Sequence, residues 1–180
     1  MLSIYGKKLR PHSELDAIIS ATEGYEEKTL KKWQKITTSD NDYIHIIVSG
    51  EVEFRRESDE LCMFMLQGQC IFGLSSIYYQ SSHMYGMVRT NAVVRSIPKV
   101  VFAQLMTEKN LWPQLTKVLS WYICMLSKRD DVLVARSAYS VVREFLLEIN
   151  ELIIYHQRDI NVYDYIQEYT NLARSTIIKI

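Results

Sequence analysis

Cysteine is scarce in this chain and poorly placed for chemistry. Cys62, Cys70 and Cys124 are three in 180 residues, an odd number, far apart and without a CxxC pair. That pattern excludes a disulfide framework, a zinc site and a set of iron–sulfur ligands. Reduced, mostly buried thiols are expected; a redox sensor would need exposure and a lowered pKa. His12, His45, His83 and His156 are scattered, so neither a metal nor another cofactor is expected. A surplus of one charge is also missing: 21 basic and 21 acidic side chains cancel, leaving no global basic field to draw the protein onto nucleic acid. No apolar run approaches the roughly 18 residues of a membrane span, and residues 1–10 have no signal-peptide core. A cytoplasmic protein without a membrane partner is the expectation. G-x-S-x-G, P-loop and HExxH motifs are absent as well, and no enzyme activity is expected.

What is present is apolar content, 48% of the chain, enough to bury a sizeable core. Near the start, Leu15, Ile18 and Ile19 mark a short helix, with Ser13 at its N-cap and Asp16 three residues later. The period then changes. Tyr43 to Val48, Val52 to Arg56, Leu61 to Leu66 and Met87 to Ile97 are rich in β-branched and aromatic residues. Turn signals at Ser39-Asp40-Asn41-Asp42, Ser49-Gly50 and Gln67-Gly68 lie near or between them. Short strands at this spacing predict an antiparallel β-roll. Residues 71–85 break the rhythm with Gly73 and four serines, so a pocket or surface loop is expected there.

Pro98 stops the last strand, and Pro113 can start a long helix. Leu115, Leu119, Tyr122, Leu126, Arg129 and Leu133 follow at heptad steps. This predicts a dimerisation seam through Leu115, Leu119, Tyr122, Leu126 and Leu133; an amphipathic helix lying on its own domain is the other reading. A second helix begins near Val141. Its predicted inner face is Val142, Phe145, Leu146, Ile149, Leu152 and Ile153, and its solvated side Arg143, Glu144, Glu148 and Glu151.

The last twenty residues carry the most functional information. Val162, Tyr165, Ile166 and Tyr169 have the spacing of a buried helical face; Asn171 and Leu172 form a turn; Ala173, Arg174, Ser175, Thr176 and Lys179 open a second helix held by Leu172 and Ile177. A helix-turn-helix lays the start of its second helix on base edges in the major groove. Arg174, Ser175, Thr176 and Lys179 are therefore the predicted DNA-binding residues. Arg174 can reach base or phosphate, and Lys179 suits phosphate.

The order of a β-roll, a long heptad helix, a second helix and a terminal helix-turn-helix resembles the cyclic-AMP receptor and Fnr family of bacterial regulators. Val48, Gly50, Val52 and Phe54 in the roll carry the likeness, with Leu66, Gly68, Ile71 and Gly73 around the loop, Val88 and Arg89 at the last strands, and Arg174, Thr176 and Ile180 in the second helix. Ile71-Phe72-Gly73-Leu74, Leu111-Trp112, Arg129-Asp130, Tyr165-Ile166 and Arg174-Ser175 look like the branch that includes the inhibitor of hydrogen peroxide resistance. The resemblance implies an α+β fold of roll (1–110), dimerisation helix (111–136) and the first part of a winged helix-turn-helix (137–180), continuing past Ile180. It also implies a dimeric transcription regulator whose partner is DNA, with a role in oxidative stress.

Two departures bear on the ligand. The family's cyclic-nucleotide binders place a ribose glutamate directly after a glycine, and an arginine followed by serine or threonine at the phosphate. Here Gly73 is followed by Leu74, and the arginine position falls near Met84, followed by Tyr85. His83 and Arg89 are the nearest basic groups. A degenerate pocket of Phe72, Gly73, Leu74, Met84, Tyr85 and Arg89 is expected, without affinity for cyclic AMP. The apolar and aromatic loop residues, which include Ile77, Tyr78, Tyr79 and Met87, are expected to fill the space in preference to a small-molecule ligand. The reading from another class is a protein-interaction module that uses the roll and long helix without DNA; neutral net charge favours it.

Overall fold

The computed structural model describes residues 8–37, 42–79, 83–134, 136–156 and 159–180, without the side chains at 155 and 156. The turn at Ser39-Asp40-Asn41 and the side chain of His156 lie outside the described residues. Leu15, Ile18 and Ile19 recur at helical spacing, and α1 (His12–Ala21) buries all three. Its cap differs from expectation. Pro11 occupies that position and its carbonyl accepts from the Leu15 amide at 3.0 Å, while Ser13 sits inside the first turn with its hydroxyl donating to Glu14.

Among the described residues, eight strands follow: β1 (Glu27–Leu30), β2 (Lys35–Ile36), β3 (Tyr43–Ser49), β4 (Glu51–Arg56), β5 (Cys62–Gln67), β6 (Cys70–Phe72), β7 (Met84–Val88) and β8 (Ala92–Pro98). They form two antiparallel sheets ordered β1-β8-β3-β6 and β2-β7-β4-β5. Ile44, Ile46, Val52, Phe54 and Val88 fill the space between them, as the period of two dictates. Gly50 joins β3 to β4 at φ +104, and a Cβ there would come within 2.7 Å of Ala92; only glycine fits. The expected strand from Met87 to Ile97 is two strands: Thr90 Oγ1 accepts from the Glu51 amide, and the chain turns at 89–91 to pair with β1 and β3. β1, β2 and β6 carry no readable alternation; β1 is largely exposed and β6 is buried throughout.

Four shorter helices flank a long one: α2 (Lys99–Glu108), α3 (Trp112–Leu133), α4 (Ala138–His156), α5 (Val162–Tyr169) and α6 (Arg174–Lys179), with α3 the long one. Pro113 lies in the first turn of α3, where its missing amide costs nothing. Leu115, Val118, Trp121 and Met125 face the roll and join its core. A second core gathers Val132, Val141, Val142, Phe145, Ile149, Ile166, Tyr169 and Ile177, and Cys62 of β5 reaches into it.

The seam expected on α3 is therefore split. Leu115 is 1% exposed within its own roll, the Tyr122 hydroxyl bonds to the backbone of Ile71, and Leu133 packs on the second core. Leu119 and Leu126 remain toward the outside, joined by Ile123, which the heptad count passed over and which is 62% exposed. Helix α4 also corrects its pattern. Its buried side runs through Val141, Val142, Phe145, Ile149 and Leu152 and takes Glu148 with it, while Leu146 and Ile153 are exposed. Among the described residues, no helix is long and apolar enough to cross a membrane.

Candidate nucleic-acid interface and its coupling to the roll

Asn161 starts α5 by accepting from the amides of Tyr163 (3.1 Å) and Asp164 (3.3 Å) through Oδ1, satisfying two donors that the helix cannot. Ile166 and Tyr169 bury the inner face, with Val162 and Tyr165 partly buried beside them. The buried Thr170 ends the helix: its hydroxyl donates to the Ile166 carbonyl at 2.7 Å and accepts from the Leu172 amide. The turn then delivers α6. Ile177 is buried and Leu172 packs behind it, so the helix is pinned by the two residues the sequence assigned to that task. Arg174, Ser175 and Lys179 are exposed and Thr176 is half-buried. Arg174 is lightly tethered, 3.9 Å from Asp164 and with its guanidinium over the Tyr163 ring.

The outer face of the β4-containing sheet holds this unit. Glu53 and Arg55, two apart on one strand, point to the same side. The Glu53 carboxylate is 2% exposed yet takes Arg55 at 2.7 Å and Arg89 at 3.1 Å; both arginines continue to Glu168 of α5, at 3.3 and 3.6 Å. Burial pushes the Glu53 carboxyl above its ordinary value, outweighing the pull of the two arginines. At the β4–β5 turn, Arg56 clamps Asp59 at 2.6 Å and holds its carboxyl well below the usual range, with Asn171 of the helix-turn-helix turn as a further donor. Charged bonds thus tie roll to helix-turn-helix at two places. Arg129 of α3 lies near this turn and is 7% exposed, and its Nε and Nη2 have no hydrogen-bond partner.

On the inner side, a cavity of about 340 Å³ lies between the roll and α3. Phe72, Gly73, Leu74 and Met84 line it as expected, together with Phe54, Phe64 and Leu119.

No protein-family model matches the chain. The inhibitor of hydrogen peroxide resistance of Escherichia coli K12 is 26% identical over 183 residues, covering 100% of this chain and 87% of the relative. Among solved structures, the c-di-GMP responsive global regulator CLP of Xanthomonas campestris superposes with a TM-score of 0.67 at 11% identity, over 93% of this chain and 88% of that one. A transcriptional regulator of the CRP/FNR family from Thermus thermophilus gives 0.61 at 15% identity, over 86% and 82%. The chain has the Crp/Fnr fold.

Within that Crp/Fnr fold, two expected pocket residues lie elsewhere. Met84 faces the cavity, so alternation turns Tyr85 outward, where Lys35 sits 4.3 Å over its ring. Arg89 is on the same outer face, bound to Glu53 and stacked on Trp33. The expectation that the loop fills the space is also corrected. Tyr78 and Tyr79 are 70% and 78% exposed, and the room they leave stays open. The charge network was missed altogether. Its signal in the sequence is the i, i+2 pair Glu53 and Arg55, which share one side of the strand opposite Val52 and Phe54.

The thiols of this Crp/Fnr fold divide by burial. Desolvation pushes Cys70 up to about 12 and Cys62 further still, while Cys124 is exposed on α3. In the native protein one thiol is expected to react with a disulfide reagent, and all three after denaturation. Reaction of Cys62 or Cys70 without denaturant would contradict their placement.

Proposed function

We propose that this chain is a DNA-binding transcription regulator of the Crp/Fnr type that acts in the cytoplasm as a dimer through α3 and does not use cyclic nucleotides. The observation that carries this reading is α6 itself: Ile177 and Leu172 fix it from behind, and Arg174, Ser175 and Lys179 stand on its open side. Two such helices, held by paired α3 helices, would address half-sites about one DNA turn apart. The similarity to the inhibitor of hydrogen peroxide resistance supports a role in the response to oxidative stress.

Exclusion of cyclic nucleotides rests on charge. Among the described residues lining the cavity there is no Arg or Lys, and Leu74 follows Gly73 where a ribose carboxylate would stand. A cyclic phosphate buried there would lose its hydration and gain no cation, a cost of several kcal/mol.

Fluorescence anisotropy of the full-length protein against DNA from its own upstream region, across a salt series, tests the reading. Sequence-selective binding without added ligand is expected. Arg174→Ala should cost about 1 to 3 kcal/mol at the specific site, and Lys179→Ala should lower the salt slope by about one without changing preference. Leu119→Glu with Leu126→Glu should yield monomers in sedimentation; an unchanged mass would remove the dimer. The interaction-module reading, which neutral net charge favours, gains support from the carboxylate of Asp164 beside Arg174, which lowers the local positive charge. Binding indifferent to sequence at every salt concentration would select it.

A further inference from the structure

Helix α4 carries apolar residues on two sides. Val141, Val142, Phe145, Ile149 and Leu152 are buried on the inner one. The outer side has Tyr139, Leu146, Leu147, Ile153 and Ile154, all between 44% and 62% exposed. Tyr139, Leu146 and Ile153 stand seven apart, as do Leu147 and Ile154, so the five share one stripe of the helix. Single apolar side chains in water need no explanation, but a stripe along the length of α4 does. A helix that is apolar all round is a helix covered all round. Among the described residues the second cover is missing.

The polar residues of this face decide what fits it. Arg143 and Asn150 are exposed within the stripe, and Glu144 and Glu151 run along one edge. Arg143 stands 3.5 Å from Glu144, while Glu151 makes no ion pair among the described residues. A wholly apolar partner would take Arg143 out of water without supplying a counter-charge. A second copy of α4 supplies one. Laid parallel, two copies would set Arg143 against Arg143 and Asn150 against Asn150. Laid antiparallel about Leu147, they set each Arg143 against the partner's Glu151, and the two arginines part by eight residues, about 12 Å along the axis. Ile153 and Ile154 then lie over the partner's Tyr139 and the aliphatic stem of the partner's Arg143, with Leu146 and Leu147 at the centre. One self-complementary patch covers the stripe on both chains.

We propose that the outer face of α4 is a contact between two copies of this chain, with the helices antiparallel and crossing at Leu147. Its few residues fall well short of the roughly 20 to 30 a side of a standard interface, so the pair is weak and forms at high protein concentration. The contact uses a different helix from the α3 seam and does not depend on the regulator reading. If α3 pairs as well, each chain meets two others and the assembly grows past a dimer.

The full-length protein carrying Leu119→Glu and Leu126→Glu, which removes any pairing through α3, is followed without DNA by sedimentation velocity from about 1 µM to about 1 mM. The mass should rise from one chain at the low end to two at the high end. Adding Leu147→Glu with Ile154→Glu should abolish the rise. Leu147→Gln with Ile154→Gln, a milder change, should weaken pairing by roughly tenfold or more and serves if the glutamates prevent folding. Orientation is read by disulfide capture with copper phenanthroline in a Cys124→Ser background, since Cys62 and Cys70 are buried. Leu147→Cys should yield a covalent dimer and Arg143→Cys should not. A constant mass, as when another part of the chain or a different protein covers this face, overturns the proposal. So does a rise that the folded variants at 147 and 154 leave intact, capture at 143, or no capture at 147. Because no DNA is present, failure here leaves the regulator reading standing, and failure of that reading leaves this one.

Discussion

Replacing Arg55 and Arg89 together with methionine is expected to cost about 3 to 5 kcal/mol of stability, because it strands the Glu53 carboxylate, 2% exposed, without a cation. The third change, Glu53→Met, should recover most of that loss: three apolar side chains on the strand face remove the buried charge along with its partners. The deficit should also depend on pH. The folded Glu53 carboxyl sits above its ordinary 4.5 because burial outweighs Arg55 and Arg89, and without the arginines it rises further. A carboxyl raised on folding contributes stability that is complete below its unfolded value and is lost as pH rises through its folded value. The double variant should therefore regain stability as the pH is lowered toward 4.5, and urea midpoints at about pH 8 and about pH 5 read the difference. A deficit that stays constant between them would mean that Glu53 is not the stranded charge.

Arg129→Met is expected to act in the other direction, stabilising the chain by about 1 to 4 kcal/mol. Arg129 is 7% exposed, two of its three nitrogens lack partners, and burial followed by the nearby Arg56 holds its guanidinium below the usual range. It stands on the inner stripe of α3 after Met125 and before Val132, the one basic residue in that stripe among the described residues. Methionine fills similar volume, carries no charge and adapts to irregular space. The gain is read as a higher urea midpoint at unchanged slope. No gain would indicate that Arg129 finds its partner in the working assembly. An arginine retained at this cost, beside the β4–β5 turn that also contacts Asn171, makes the end of α3 a place where the relation of roll to helix-turn-helix can be set.

Much of this architecture was legible because it follows from periodicity. The β3–β4–β5 run, the long helix after Pro113, and the turn between Tyr169 and Arg174 all come from spacing that local physics enforces. The failures share a cause. Whether Leu115 faces a partner or its own roll, and whether Leu146 or Glu148 is buried on α4, depends on which neighbour packs there, and spacing within one helix does not carry that information. The cavity was misjudged for a similar reason: Tyr78 and Tyr79 count as filling material by composition, but Trp112, far along the chain, draws Tyr78 outward. The resemblance puts Tyr85 directly after the position of the phosphate arginine, and Arg89 is one of the nearest basic groups in sequence, but the alternation of β7 carries both to the other side of the sheet.

Cys62 has a bearing on how the chain can be divided. A strand of the roll supplies this residue to the core formed by α4, α5 and α6. A roll expressed alone would keep the thiol and expose it, and helices expressed alone would be left with a hole in their core. The two halves are consequently poor candidates for shuffling onto other partners, and this protein should be inherited, engineered and unfolded as one piece.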